Sequence, residues 1–100
     1  MIKALRFISI LASTLLWVSA SEASDYELAY EALAAEDYEK AAYFLSYYAS
    51  NGDARSQYNM GIIYRDGLGF EKNSSAALAW FLLAAEQKHM LANYAVGLLL

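Results

Sequence analysis

From Ser24 to Leu100 the apolar side chains recur at three- and four-residue intervals, and no segment alternates as a half-buried strand would. Tyr26, Tyr30, Leu33 and Ala34 stand at i, i+4, i+7 and i+8, so they fall on one face of a helix. Ser24 followed by Glu27 is a capping-box pattern, and it predicts that this helix opens there and runs to about Glu36. Asp37 can cap a second helix to about Ser50, closed by Asn51-Gly52 as a left-handed stop. A third helix is expected from about Ala54 to Asp66, ending in Gly67. Residues 67–72 read as a loop. Asn73 then caps a fourth helix to about Gln87, and a fifth begins near Met90 and runs on to Leu100. The fold class this predicts is all-α.

The helices repeat. A shift of 36 positions lays Tyr58 on Tyr94, Gly61 on Gly97, Ala41 on Ala77 and Ala49 on Ala85. Phe44 with Trp80, Met60 with Val96, Ile62 with Leu98 and Asn51 with Gln87 are conservative matches in the same register. Small residues return where two helices cross closely, and large ones return along the seam. A period of this length is the mark of stacked supersecondary units. The expected architecture is an α-α superhelix of antiparallel helix pairs, with about two pairs and one unpaired C-terminal helix. The units are a capping pair at 24–52, a full repeat at 53–88 and the start of another at 89–100.

The first 23 residues follow a different pattern. Lys3 and Arg6 precede twelve residues, Phe7 to Val18, broken only by Ser9, Ser13 and Thr14, and a small-residue stretch follows. This is the form of a secretory signal peptide, with cleavage after Ala20 or Ala23. The apolar run is short of the ~20 residues that span a bilayer, so no transmembrane anchor is expected once it is removed. The expected location is secreted or periplasmic.

Composition narrows the chemistry. Cysteine is absent, which excludes disulfides, thiolate metal sites and a cysteine nucleophile, and suits an oxidising compartment. From Ser24 onward five basic side chains face ten acidic ones, a net charge of −5, which disfavours nucleic acid as a partner. His89 is the single histidine; it follows Lys88 and reads as a solvated turn residue. Glu36, Asp37 and Glu39 sit at a helix start, where acids favour the helix dipole without converging on a metal. Gly67 and Gly69 precede a capped helix but lack the lysine of a phosphate-binding loop. No catalytic set, cofactor site or metal site is expected.

The run Ser56 to Phe70 (Ser-Gln-Tyr-Asn-Met-Gly-Ile-Ile-Tyr-Arg-Asp-Gly-Leu-Gly-Phe), with Ala77, Trp80, Ala84, Ala85, Glu86 and Gln87, resembles one complete Sel1-like repeat. That family is a helical-repeat relative of the tetratricopeptide group. The positions that carry the resemblance are Tyr58, Gly61, Tyr64, Gly67, Gly69, Ala77, Trp80, Ala84, Ala85 and Gly97. Gly61 would admit a partner helix, Gly67 and Gly69 would supply positive φ, Phe70 would plug the loop onto the core, and Tyr58, Tyr64 and Tyr94 would be core. Lys88 stands where the family has a glycine, so it would have to adopt a left-handed conformation.

The resemblance implies a non-enzymatic adaptor that binds a protein or peptide. Tyrosine is enriched, with nine against four phenylalanines. First helices line the concave side of such stacks, so Tyr26, Glu27, Tyr30 and Glu31 are the expected partner-binding residues of an acidic, tyrosine-bearing groove. Ala76 to Ala85 is ten consecutive apolar residues, and with Leu98 to Leu100 it raises a second reading, a subunit that homodimerises or docks on an envelope protein. A β-lactamase-like hydrolase is the remote third reading, from chemistry associated with cysteine-rich members of the family.

Overall fold

The computed structural model describes residues 23–100; residues 1–22 of the expected signal peptide, including the Ala20 cleavage point, lie outside the described residues. Among the described residues there are five α-helices and no strand. They are α1 (Asp25–Ala34), α2 (Tyr38–Ser50), α3 (Ala54–Asp66), α4 (Ser74–Glu86) and α5 (Met90–Leu99). Each packs on its neighbour in sequence, with α3 on α4 the most extensive pairing.

Local chemistry sets the boundaries. Ser24, Asp37, Asp53 and Asn73 each accept a backbone N–H three residues on, which satisfies one of the orphan donors that open a helix. Gly52 ends α2 at φ 97°, and Gly67 ends α3 at φ 67° while Leu68 N donates to Ile63 O at 2.9 Å. α1 stops at Ala34, two residues short of the predicted Glu36. Glu36 itself takes φ 59°, and Asp37 N donates back to Ala32 O, closing the turn. Lys88 takes φ 65°, the left-handed conformation expected of it.

Two clusters make the core. The first joins α1, α2 and α3 through Ala29, Ala41, Leu45, Met60 and Ile63, with Tyr64 and Trp80 packed against it. The second centres on Ala77 and Phe81 of α4, held between Tyr58 and Ile62 of α3 and Ala95, Val96 and Leu99 of α5. Gly61 is what lets α4 in. A Cβ there would lie 2.8 Å from Phe81 Cζ and closer still to Cε1 and Cδ1. Gly69 is pressed in the same way on Tyr38 at the start of α2, so the α3–α4 loop seats on the preceding pair.

A polar ladder fixes the register between repeats. Gln57, 4% exposed, donates from Nε2 to Ala49 O at 3.0 Å and accepts from Gln87 Nε2 at 3.0 Å. Gln87 also donates to Gly52 O at 2.8 Å, which ties the turn after α4 to the turn after α2. No buried side-chain polar atom among the described residues lacks a partner.

Three expectations need correction. Tyr94 is not core: it is 69% exposed, because no helix covers that side of α5 among the described residues. Phe70 is 42% exposed and reaches only the edge of Tyr64, at 6.1 Å between ring centroids, so it shields the loop without plugging it. A homodimer through residues 76–85 and Leu98–Leu100 is not supported: within 76–85, Ala77, Phe81 and Ala84 are fully covered within one chain, and the exposed side chains are Ala79, Leu82 and Leu83.

Candidate functional site: the face shared by the first helices

α1, α3 and α5, the first helix of each unit, present side chains to a common side. Along α1, Tyr26 and Tyr30 lie one turn apart with ring centroids at 4.9 Å, and exposed Glu27 and Glu31 flank them. These four residues border an open cleft of about 450 Å³ together with Ala34 and Arg55. The cleft continues past Tyr30 and Arg55 into a second of about 430 Å³, lined by Leu33, Tyr58, Asn59, His89 and Leu91. The expected residues therefore form one end of a longer groove whose floor is α3.

Each tyrosine is held. Tyr26 stands edge-on to Tyr48 at 5.0 Å, and its hydroxyl donates to Asp53 Oδ2 at 3.4 Å. Asp53 is fixed in turn as the α3 cap, accepting Ser56 N at 2.9 Å and the Ser56 hydroxyl. The hydroxyl contact with Tyr30 is the largest cause that pushes the Tyr26 phenol up to about 12; partial burial and the Asp53 carboxylate add to it, and Arg55 opposes it. Asn59 Nδ2 donates to Tyr30 Oη at 3.4 Å. The guanidinium carbon of exposed Arg55 lies 3.9 Å from the Tyr30 ring centroid, a cation–π arrangement. Among the described residues the one side-chain ion pair within 4 Å is Arg65–Asp66, so Arg55 makes no close ion pair although Glu27 and Glu31 line the same cleft. In the Arg65–Asp66 pair the guanidinium lowers the Asp66 carboxyl, and Asp66 raises Arg65.

His89 departs from its expected role. It is half-buried, its Nδ1 accepts Ala92 N at 3.2 Å as the α5 cap, and its ring stacks on Tyr58 at 4.8 Å. A histidine at a helix start can do what Asn or Asp does there, and an aromatic neighbour four residues into the preceding first helix was the signal available for the stacking. Arg55, Tyr58 and Asn59 were also missed as groove residues. Their i, i+3, i+4 spacing on α3 carries that information once α3 is recognised as the floor. Asp37 accepts Lys40 N and so caps α2, Asn73 caps α4, and no group of His, Cys, Asp or Glu able to hold a metal occurs among the described residues. No described helix is long and apolar enough to cross a membrane.

No curated protein and no solved structure matches this chain. A family model described as the Sel1 repeat matches residues 23–53 and again 54–89, two units that coincide with the α1–α2 and α3–α4 hairpins. With both hairpins matched over most of the chain, and with Gly61, Gly67, Gly69 and Lys88 in the conformations the motif asks of them, the protein belongs to the Sel1 repeat family.

Proposed function

We propose that this protein is an exported, non-enzymatic scaffold that binds an extended segment of a protein partner along the groove of α1, α3 and α5. Sel1 repeats generally mediate protein–protein interaction and are typically not catalytic, which sets the class. The observation that carries the reading is Arg55, an exposed cation in no close ion pair, laid on Tyr30 between two joined clefts. A pre-positioned, exposed guanidinium suits an acidic side chain of the ligand, while Tyr26, Tyr30 and Tyr58 offer rigid aromatic area with little rotamer entropy to lose. Glu27 and Glu31 along one wall would repel a ligand that is acidic throughout, so the favoured segment carries an acid opposite Arg55 and basic or apolar residues beside α1. Export rests on the basic, apolar and small-residue order of residues 1–23, and mass spectrometry of the purified N-terminus tests it.

The binding test is a displayed peptide library selected on the purified protein, followed by anisotropy on the selected peptides. Tyr30→Ala and Arg55→Ala should each weaken binding by roughly tenfold or more, the size of a contact at the centre of an interface. Tyr43→Ala, on the outer side of α2, should leave it unchanged. Selected peptides that bind both groove variants as well as the parent would overturn the groove assignment.

A further inference from the structure

His89 opens α5 with its ring divided among three surroundings. Nδ1 accepts the Ala92 N–H at 3.2 Å, one ring face lies on Tyr58 at 4.8 Å with 25° between the planes, and the residue lines the second cleft beside Arg55 and Asn59. The first of these fixes the chemistry of the last. A ring nitrogen that accepts a backbone N–H carries no proton, so the proton of the neutral imidazole is on Nε2. Nε2 makes no hydrogen bond to the described residues, and no buried side-chain polar atom among them lacks a partner, so the Nε2–H reaches solvent. The cap and the stack together hold the ring, which makes this donor pre-oriented as well as unpartnered. A cap alone is supplied better by asparagine or aspartate, and a stack alone by phenylalanine. Histidine supplies both and adds the outward N–H.

The two clefts of the groove differ in charge. Glu27 and Glu31 line the one along α1, whereas among the described residues no carboxylate lines the one that reaches α5. In the second cleft Arg55 has only donors, His89 in this tautomer presents only a donor, and Asn59 gives one amide hydrogen to the Tyr30 hydroxyl. An acidic group seated between α3 and α5 therefore meets a cation, a neutral N–H and no like charge; on the other side of Arg55 it meets two glutamates.

We propose that His89 is a specificity-determining residue of the groove, whose Nε2–H donates to the carboxylate of an acidic side chain of the bound segment and seats that acid between α3 and α5. This rests on the groove reading given above and adds to it the charge order of the partner. The acid lies toward α5 and the basic or apolar residues toward α1. A hydrogen bond to an ionised acceptor is stronger than one to a neutral group, so the site favours a carboxylate over its amide.

The test is anisotropy with the peptides selected on the purified protein, each made also with its acidic side chain replaced by the matching amide. His89→Asn keeps a capping side chain but ends short of Nε2 and loses the stack. His89→Phe keeps a ring on Tyr58 but loses the cap. Only the Nε2–H is missing from both, and circular dichroism checks that the helices persist in each. Both should weaken the acidic peptide by roughly tenfold and narrow its advantage over the amide peptide. If Arg55→Ala weakens binding while both His89 variants match the parent, the inference is overturned and the groove stands; if none of the three has an effect, both fall. Weakening by one His89 variant alone, or by equal factors for acidic and amide peptides, would assign the effect to the cap or the stack and overturn the inference. Selection of peptides without an acid would do the same. His89 is the single histidine, so the ¹⁵N spectrum of its ring in mildly alkaline buffer has one origin. It should show the proton on Nε2, and a proton on Nδ1 would contradict the assignment.

Discussion

The two glycines at equivalent positions, Gly61 and Gly97, should respond to alanine with opposite signs. In a helix interior alanine is favoured over glycine by about 0.5–1 kcal/mol, because glycine loses more backbone freedom on folding. At Gly97 nothing lies within 4 Å of the new methyl group, so Gly97→Ala should gain close to that amount. At Gly61 the methyl group would sit inside contact distance of three ring carbons of Phe81, which is fully buried and enclosed by Tyr58 and Ile62. Forcing a methyl group into a packed core costs roughly 1–3 kcal/mol, which exceeds the propensity gain. Gly61→Ala should therefore destabilise by about 1–2 kcal/mol, and Phe81→Leu in the same chain should recover part of the loss by shortening the obstructing side chain. Urea denaturation followed by circular dichroism reads both. A domain of this size shifts by about 4–8 °C per kcal/mol, so thermal melts should separate the two variants clearly. Equal stabilisation by both alanines would mean that α4 does not approach α3 at Gly61, and the stacking geometry would be wrong.

Gln57→Leu should cost about 1–3 kcal/mol by leaving Ala49 O without its donor, and a double-mutant cycle with Gln87→Ala in urea melts should show clear coupling. Lys88→Gly should stabilise by about 1 kcal/mol in the same assay, because it relieves a non-glycine residue held at φ 65°. Tyr26 binds its proton more tightly folded than unfolded, so its contribution is complete below the ordinary value of 10.0 and is lost as pH rises from there to about 12. An ultraviolet phenol titration should show one late-ionising tyrosine that disappears in Tyr26→Phe, and denaturant midpoints of the parent should fall more steeply over that alkaline range than those of the variant.

The helices were legible because their signals are local. Ser24, Asp37 and Asn73 cap where a short polar side chain precedes an apolar period, and Gly52 and Gly67 end helices where only glycine takes positive φ cheaply. The crossing at Gly61 was legible for a different reason, since a small residue recurring with the repeat marks a backbone contact. What the sequence hid depends on neighbours far along the chain. Tyr94 matches Tyr58 in the repeat, yet Tyr58 is covered by Phe81 and His89 while Tyr94 is 69% exposed among the described residues. Arg55 shows no pattern of its own; its place on Tyr30 follows from α1 and α3 lying side by side across a two-helix hairpin. His89 was hidden because a cap and a stack both need geometry that a lone histidine in a turn does not reveal.

The central claim is that the partner meets the face of α1, α3 and α5. A photoreactive amino acid at Leu91, on the groove wall but outside the Tyr30–Arg55 contact, tests it directly against the same group at Tyr43 on the outer side of α2. With a peptide selected on the protein, the account predicts a covalent adduct from position 91 that Arg55→Ala suppresses, and none from position 43. Crosslinking from position 43 alone would contradict it.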